Sequence, residues 1–429
     1  MSLLFFWLFL AFMILGLPIV FALILAPGIS LMVEGRDIFL TLLVQRLYNG
    51  IDSFPLMAVP FFILAGEIMN AGKITQNLVN FSKALIGHVR GGLAQVNILS
   101  SILFAGLSGS AVADTSALGS MLIPAMEKNG YSRKFSAAIT AASSVIGPII
   151  PPSGLMILYA FVMNVSVGGL FAAGMVPGLL VGVGLMSVTW YISKRRGYPV
   201  ANRRATFKER AVATKEAFWP LLTPVILIGG ILTGVFTPTE AAAVAAGYAL
   251  IISLFVTRSL KFKDLPAVLR ESAISSGVIL FLVGAAVSFS SIVSLSGTPA
   301  YITNAVISVS DNPMILLFLI NILLFIVGMF LDAGPAILIL GPILGPVVTS
   351  MGVDPLHFAV VMCVNVTVGL ATPPMGLVLF VAASLSKESI ERITVEILPF
   401  LAVEVAVIFL ITFFPQLTLF IPHLLGFST

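Results

Sequence analysis

Two aspartates lie inside apolar stretches of this sequence. Asp114 lies within LSGSAVADTSALGS (107–120), and Asp332 lies within LDAGPA (331–336). A charged side chain at the centre of a bilayer costs at least ~2.5 kcal/mol, so such residues usually have a functional partner. Each aspartate could ligate a cation, take up a proton or cap a half-helix, and the residue type alone leaves these three roles open.

Small and hydroxylated residues accompany the first aspartate: Ser108, Gly109, Ser110, Thr115 and Ser116. This composition is expected at a hairpin tip, where two half-helices meet and N-terminal N–H groups are available to an anion. Close helix packing by small residues explains the Ser/Gly run equally well, but it does not explain the aspartates. At the second tip Asp332 would lie near Gly334.

A proline pair interrupts each of two further apolar runs, SSVIGPIIPPSGLMILYA (143–160) and NVTVGLATPPMGLVLFVA (365–382). Proline lacks the backbone donor and clashes with the preceding turn, so each helix should break there. The carbonyls near 148–153 and 370–375 should then lose their helical partners and become available to Na⁺, a hard cation that prefers oxygen ligands. A purely structural kink is the alternative for either run taken alone.

The two halves of the chain repeat this arrangement. Each aspartate is followed ten residues later by a proline, Pro124 or Pro342. The aspartates are 218 residues apart (332 minus 114) and the proline pairs 222 (373 minus 151). Because paired broken helices in repeats of opposite orientation are typical of secondary transporters, we predict an inverted repeat. Chance similarity between Gly/Pro-rich apolar strings is the alternative.

Membrane helices must position these groups. Of the 429 residues, 59% are hydrophobic and only 9% are charged, whereas soluble domains carry about 25% charged residues. Continuous apolar runs of roughly 20 residues recur along the chain, which indicates helices instead of alternating barrel strands. The predicted fold class is an all-α polytopic membrane protein with two re-entrant helical hairpins and two broken transmembrane helices.

Lys and Arg clusters set the predicted topology, because cytoplasmic loops are enriched in them. Only Arg36 and Arg46 then face outward; the N-terminus is cytoplasmic and the C-terminus periplasmic. Single helices are expected at 4–26 and 397–425. The predicted regions are scaffold helices and an arm at 1–91, a first transport region at 92–193 (hairpin 92–127, broken helix 135–165), a basic cytoplasmic linker at 194–217, scaffold helices and an arm at 218–312, a second transport region at 313–386 (hairpin 313–350, broken helix 356–386), and a C-terminal scaffold helix at 387–429.

Other kinds of site are poorly represented. Cys363 is the only cysteine, so neither an internal disulfide nor a multi-cysteine metal site can form. GEIMNAGKI (66–74) has one residue too many for a phosphate-binding loop and no Ser or Thr after its lysine. Glu67 and Glu404 lie in apolar runs without matched partners and are weaker candidates. We expect neither enzymatic activity nor a bound nucleotide, and transport driven by an ion gradient.

Taken together, these strings resemble the large membrane subunit of the tripartite ATP-independent periplasmic (TRAP) transporters. The resemblance runs over essentially the whole chain, through FPLMAVPFFILAGEIM (54–69), GLSGSAVADTSALGSMLIPAM (106–126), GPIIPPSG (147–154), GGILTGVFTPTEAAAVAA (229–246) and GLATPPMG (369–376). It implies a bacterial inner-membrane, Na⁺-driven importer of organic acids such as sialic acid or a C4-dicarboxylate, and the sialic-acid branch is the most similar. It also implies an elevator mechanism, a separate small membrane subunit and a periplasmic solute-binding protein.

The resemblance further implies at least two Na⁺ sites, each between a hairpin tip and a break. The first is expected at Ser108, Gly109, Ser110, Gly147, Pro148, Pro151, Pro152 and Ser153. The second is expected at Gly328, Asp332, Gly334, Gly369, Thr372, Pro373 and Met375. Substrate contacts are expected from Ser108, Ser110, Asp114, Ser153, Asp332 and Pro374.

The main alternative is a stand-alone Na⁺- or H⁺-coupled carboxylate symporter or antiporter of the same architecture, without a binding protein. Proton coupling stays open because Asp114 and Asp332 could titrate. A channel should instead show a continuous polar pore, whereas the polar residues here collect at two points.

Overall fold

The computed structural model describes residues 3–72, 74–199, 204–298 and 312–427, with the backbone alone at Leu107 and Ser108. Within these ranges the chain forms nineteen α-helices and no β-strand. Eight helical segments there are long and apolar enough to cross a bilayer, judged by length and composition. The predicted all-α polytopic membrane class is therefore confirmed.

Five helices precede the first hairpin: α1 (Leu4–Ile14), α2 (Ile19–Val33), α3 (Ile38–Ile51), α4 (Ala58–Ala71) and α5 (Ile74–Ile86). The single helix expected at 4–26 is wrong, because the chain turns after Ile14 and α1 packs against α2. Gly16 adopts φ +79°, which glycine tolerates, and Pro18 precedes the new helix.

The first hairpin and broken helix comprise α6 (Gly92–Ser108), α7 (Ala111–Lys128), α8 (Arg133–Ser144) and α9 (Gly154–Met163). Next come α10 (Val167–Arg196), α11 (Phe207–Leu232), α12 (Pro238–Ile251) and α13 (Leu265–Leu295). Much of the predicted linker at 194–217 is thus helical, since α10 enters it and α11 begins inside it.

The second half repeats the pattern with α14 (Pro313–Phe330), α15 (Ala333–Ser350), α16 (Pro355–Gly369) and α17 (Leu377–Ser386). Two helices follow, α18 (Ile390–Phe413) and α19 (Gln416–Leu424). The single helix expected at 397–425 is therefore wrong: it ends at Phe413, shortly before Pro415, whose missing N–H and fixed φ disfavour continuation.

Contacts divide the helices into two groups. The core group contains α6–α10 and α14–α19, and the flanking group contains α1–α4 and α11–α13, with α5 packed between α6 and α11. Within the core group each hairpin also packs across the repeat: α7 lies against α17, and α15 lies against α9. Each hairpin therefore contacts both broken helices.

The C-terminal helix departs from its predicted place in the scaffold. α18 packs against α8, α10 and α16, which belong to the core group. Its inward face carries Glu396, which pairs with Lys134 of α8 and Arg196 of α10. Because a buried carboxylate is stabilised by such cations, this ion-pair cluster attaches α18 to the core group.

The residue equivalent to Asp332 in the first repeat is Ser110, and not Asp114 as the sequence predicted. Ser110 is the N-cap of α7 and Asp332 is the N-cap of α15, whereas Asp114 lies in the first turn of α7. The N-caps are 222 residues apart (332 minus 110), and so are the proline pairs at 151 and 373. Asp114 and Asp332 are thus not equivalent, because one is inside its helix and the other begins its helix.

Candidate functional site

The first broken helix has a defined, hydrogen-bonded break between α8 and α9. Ser153, fully buried, accepts a hydrogen bond from the Met156 N–H (3.3 Å) and donates its hydroxyl to the Pro148 carbonyl (2.5 Å). Ser153 therefore caps α9, as expected where a new helix has unpaired N–H groups. The Pro148 carbonyl, predicted to be free, accepts this hydroxyl.

The tip of the first hairpin lies directly against this break. Gly109 adopts φ +61°, and a Cβ added there would lie 3.2 Å from the Pro152 carbonyl oxygen. Ser110 follows with its side chain accepting from the Ala113 N–H (3.4 Å). A glycine at the tip thus allows the backbone of α6 and α7 to approach the proline pair.

Asp114 lies beneath the tip instead of at the site surface. Its side chain is fully buried, and a Cβ added at Gly147 would collide with its Oδ2 atom. The contact joins the first turn of α7 to the break of α8, where the positive end of the α7 dipole favours an acidic group. Because it has no exposed surface, Asp114 cannot touch a solute in this conformation, contrary to its predicted substrate contact.

The second hairpin and second break meet through two glycines. A Cβ added at Gly369 would lie 2.5 Å from the Cα of Gly328, so the two backbones are in direct contact. At the tip, Asp332 caps α15 by accepting from the Ala333 N–H (2.7 Å). At the break, the Thr372 hydroxyl donates to the Val368 carbonyl (2.9 Å).

Some carbonyls of the breaks remain available. In the described part of the chain, no hydrogen-bond donor contacts the carbonyl oxygens of Pro151, Pro152, Pro373 or Pro374. Others are engaged: the Leu370 carbonyl accepts from the Val378 N–H (3.1 Å). The predicted free oxygens therefore include those of both proline pairs, and in the described structure also those of Ile149, Ile150, Ala371 and Met375.

One cavity of about 570 Å³ brings both halves together. Its core-group wall contains six of the predicted site residues: Gly109, Ser110, Pro148, Pro152, Asp332 and Gly334. The opposite wall comes from the flanking helices α4, α11 and α13. The cavity therefore lies between the core group and the flanking group, with both hairpin tips at its surface.

Other predicted residues do not line this cavity: Gly147, Pro151, Ser153, Gly328, Gly369, Thr372, Pro373, Pro374 and Met375. Ser153 is fully buried, so the structure does not place it in contact with a solute. Pro374 is exposed away from this cavity. The side chain of Ser108, assigned to both ion and substrate, lies outside the described part of the structure.

The flanking wall was not found by sequence reasoning. Its side chains are mostly apolar: Val59, Phe62, Ile63, Thr223, Leu227, Ile279 and Leu282. No local motif marks these residues, because apolar residues are common in every membrane helix. No Lys, Arg or His belongs to the described lining, so an anion held there would depend on backbone N–H groups or bound cations.

Sequence comparison places the chain among known permeases. Residues 6–417 match the family described as the DctM component of the tripartite ATP-independent periplasmic transporters. The chain is 41% identical over 417 residues to the sialic acid TRAP transporter large permease protein SiaM of Vibrio cholerae, covering 96% of each protein. It is 37% identical over 439 residues to the C4-dicarboxylate TRAP transporter large permease protein DctM of Rhodobacter capsulatus, covering 99% of each.

Two solved transporter structures share the fold of this chain. The YdaH transporter of Alcanivorax borkumensis superimposes with a TM-score of 0.64 at 17% identity, over 89% of each chain. MtrF of Neisseria gonorrhoeae superimposes with a TM-score of 0.60 at 14% identity, over 89% of this chain and 85% of that one. At these identities the likeness concerns the fold alone. The family match and the relatives of full length show that this chain belongs to the DctM family, the large membrane permeases of tripartite ATP-independent periplasmic transporters.

Proposed function

We propose that this permease is a Na⁺-coupled importer of an organic acid in the bacterial inner membrane. The observation that carries the proposal is one cavity lined by both hairpin tips, by Pro148 and Pro152 of the first break and by Leu370 of the second break. In a secondary transporter, broken helices and helix termini at the membrane midplane bind the coupling ions and the substrate. The names of the relatives suggest sialic acid or a C4-dicarboxylate as the cargo class.

Each Na⁺ would bind between a tip and a break. In the first half, the Pro151 and Pro152 carbonyls lack hydrogen-bond donors in the described structure, and Gly109 lies beside the Pro152 oxygen. In the second half, the Pro373 and Pro374 carbonyls and the Thr372 hydroxyl would supply oxygens from the break that follows Gly369, the residue in contact with Gly328. Neutral oxygens of this kind suit a hard monovalent cation.

The substrate carboxylate would be held without a basic side chain. The N-terminal residues of α7, α9 and α15 lie at the cavity: Ala111, Gly154 and Ala333. Helix N-termini carry partial positive charge and unpaired N–H groups, so they bind anions. Na⁺ bound behind them would add positive charge, which couples substrate affinity to ion binding.

An elevator motion would move the core group past the flanking group. Their boundary coincides with the cavity, so displacement along it would carry the tips and breaks together while α4, α11 and α13 stay in place. A Na⁺ gradient can drive accumulation of the substrate, because one Na⁺ moving down ~100 mV releases about 2.3 kcal/mol. The tripartite name of the family supports a separate small membrane subunit and a periplasmic binding protein as partners.

Reconstitution into proteoliposomes tests the proposal. We expect uptake of labelled sialic acid or a C4-dicarboxylate only with an inward Na⁺ gradient, the small subunit and the cognate binding protein. A proton gradient imposed without Na⁺ is the matched control. Uptake by this chain alone would favour the stand-alone symporter or antiporter, and uptake driven by protons without Na⁺ would refute the Na⁺ assignment.

A further inference from the structure

Buried hydrogen bonds join the first arm of the first hairpin to the neighbouring broken helix. Asn97 of α6 donates its Nδ2 to the Thr140 hydroxyl of α8 (2.6 Å) and accepts at Oδ1 from the Ser143 hydroxyl (3.3 Å). Ser101, one turn later on α6, donates to the Ser143 hydroxyl (2.9 Å). All four side chains are fully buried, so α6 is attached to α8 by a continuous polar cluster.

The second repeat has the same connection made with different residues. Asn365 of α16 donates its Nδ2 to the Asn321 side chain of α14 (2.8 Å) and to the Asn321 carbonyl (3.1 Å). Asn321 in turn donates to the Thr412 hydroxyl of α18 (2.9 Å). Asn321 and Asn365 are 2% and 1% exposed, so water has little access to these hydrogen bonds.

These connections lie one turn before the breaks. Ser143 precedes Gly147 by four residues and Asn365 precedes Gly369 by four residues. Ser143 and Asn365 are themselves 222 residues apart (365 minus 143), the same spacing as the proline pairs. Four residues beyond the connection, the first repeat has the contact of Gly147 with the Asp114 side chain, and the second has the contact of Gly369 with the Gly328 backbone. Each connection therefore joins, one turn before the break, the two elements that form the walls of a proposed ion site.

Ion affinity depends on that distance. Oxygen ligands bind a cation only within a narrow range, and a site held loosely by about 0.5 Å loses much of its function. If only a fraction of molecules has the tip seated on the break, the apparent dissociation constant rises in inverse proportion to that fraction. Hydrogen bonds between buried side chains of membrane helices are strong enough to shift such a fraction.

We infer that Asn97 and Asn365 are positioning residues that set the Na⁺ affinity of the two sites by fixing each hairpin arm to its broken helix, without contacting the ion. This inference rests on the proposed Na⁺ coupling. Neither asparagine is at the tip or in the break, and neither lines the central cavity.

The test separates Na⁺ affinity from transport rate. Asn97→Leu and Asn365→Leu remove the hydrogen bonds and keep the number and branching of the side-chain heavy atoms. In the complete system we expect each to raise the Na⁺ concentration for half-maximal uptake about threefold to tenfold, with the maximal rate at saturating Na⁺ close to wild type. The Na⁺ concentration that thermally stabilises the purified protein should rise by the same factor, and this readout needs no transport.

Thr418→Val is the matched control. It removes the buried hydrogen bond between Thr418 Oγ1 and His357 Nδ1 (2.8 Å), at the end of α16 opposite the break. A variant that lowers stability alone would behave like this control, whose Na⁺ dependence we expect to be unchanged. Asn365→Ser introduces the residue type found at the equivalent position of the first repeat, Ser143. It replaces Asn365→Leu in the test if the leucine variant does not fold, and we expect it to lower the Na⁺ affinity less.

Three outcomes would overturn the inference. The first is an unchanged Na⁺ concentration for half-maximal uptake in the Asn97 and Asn365 variants while the wild type depends normally on Na⁺. This result refutes the inference and leaves the proposed function intact. The second is an equal rise of the half-maximal Na⁺ concentration in the Thr418→Val control, which would show that the effect comes from general destabilisation. A wild-type protein whose uptake and thermal stability ignore Na⁺ refutes the proposed function, and the inference with it.

Discussion

Ser110 and Asp332 occupy the same position in the two repeats, since each is the N-cap of the second helix of its hairpin and each lies at the central cavity. The repeat thus places a neutral hydroxyl at one tip and a carboxylate at the other. Both cap a helix, but only Asp332 adds charge. The two tips should therefore respond differently to substitution.

The first prediction concerns substitutions at the two hairpin tips. Asp332→Ser retains a capping oxygen and removes the charge, so we expect the protein to fold normally and the Na⁺ dependence of uptake to weaken. Asp332→Ala removes the cap as well and should lower stability further by about 1 kcal/mol. Uptake against Na⁺ concentration and thermal midpoints measure the two effects. Normal Na⁺ dependence in both Asp332→Asn and Ser110→Ala would show that the tips are wrongly assigned.

The contact of Gly328 with Gly369 gives a second prediction. A methyl group on Gly369 would meet the Gly328 backbone, which cannot move aside as a flexible side chain can. We expect Gly369→Ala to destabilise the protein by about 1–3 kcal/mol and to reduce uptake strongly. Gly277→Ala, where a Cβ meets no atom within 4 Å, is the control and should behave like wild type. Normal uptake by Gly369→Ala would contradict the close apposition of hairpin and break.

The ion pairs of Glu396 give a third prediction. Its carboxylate lies 2.9 Å from Lys134 Nζ and 2.6 Å from an Arg196 guanidinium nitrogen, and its side chain is 5% exposed. Glu396→Gln leaves two cations without their partner. Because both cations are nearly half exposed, we expect a moderate loss of about 1–2 kcal/mol, seen as a lower thermal midpoint.

Glu388 provides the comparison for that variant. Its pair with Arg392 (3.3 Å) lies at the surface, where such pairs contribute about 0–1 kcal/mol. Glu388→Gln should therefore leave the thermal midpoint almost unchanged. If it lowers the midpoint as much as Glu396→Gln does, burial of Glu396 is not the reason for the effect.

Glu404 gives a fourth prediction. It is fully buried on α18, and in the described structure neither carboxyl oxygen has a hydrogen-bond partner. Since an unsatisfied buried polar group costs about 1–3 kcal/mol, we expect Glu404→Leu to raise the thermal midpoint and to preserve Na⁺-driven uptake. Glu404→Gln should lie between the leucine variant and wild type. Loss of uptake in a stable Glu404→Leu protein would instead reveal a functional role for this carboxyl.

The sequence was most informative where a residue type restricts the backbone. Pro151–Pro152 and Pro373–Pro374 cannot continue a helix, and both breaks occur where these pairs predict them. Gly109 likewise marks a turn that only a permissive residue adopts easily, and the hairpin tip is there. The errors at 4–26 and 397–425 arose because hydropathy does not change across a turn inside the membrane; Gly16 and Pro415 were the local signals.

Tertiary structure decided the roles that depend on long-range neighbours. The sequence by itself determined an all-helical membrane protein with two repeated hairpins and breaks, because composition, period and proline act locally. It could not reveal that Asp114 is buried against Gly147, that α18 joins the core group, or that apolar residues of α4, α11 and α13 complete the cavity. These facts depend on which helix faces meet, and apolar membrane helices carry little sequence information about their partners.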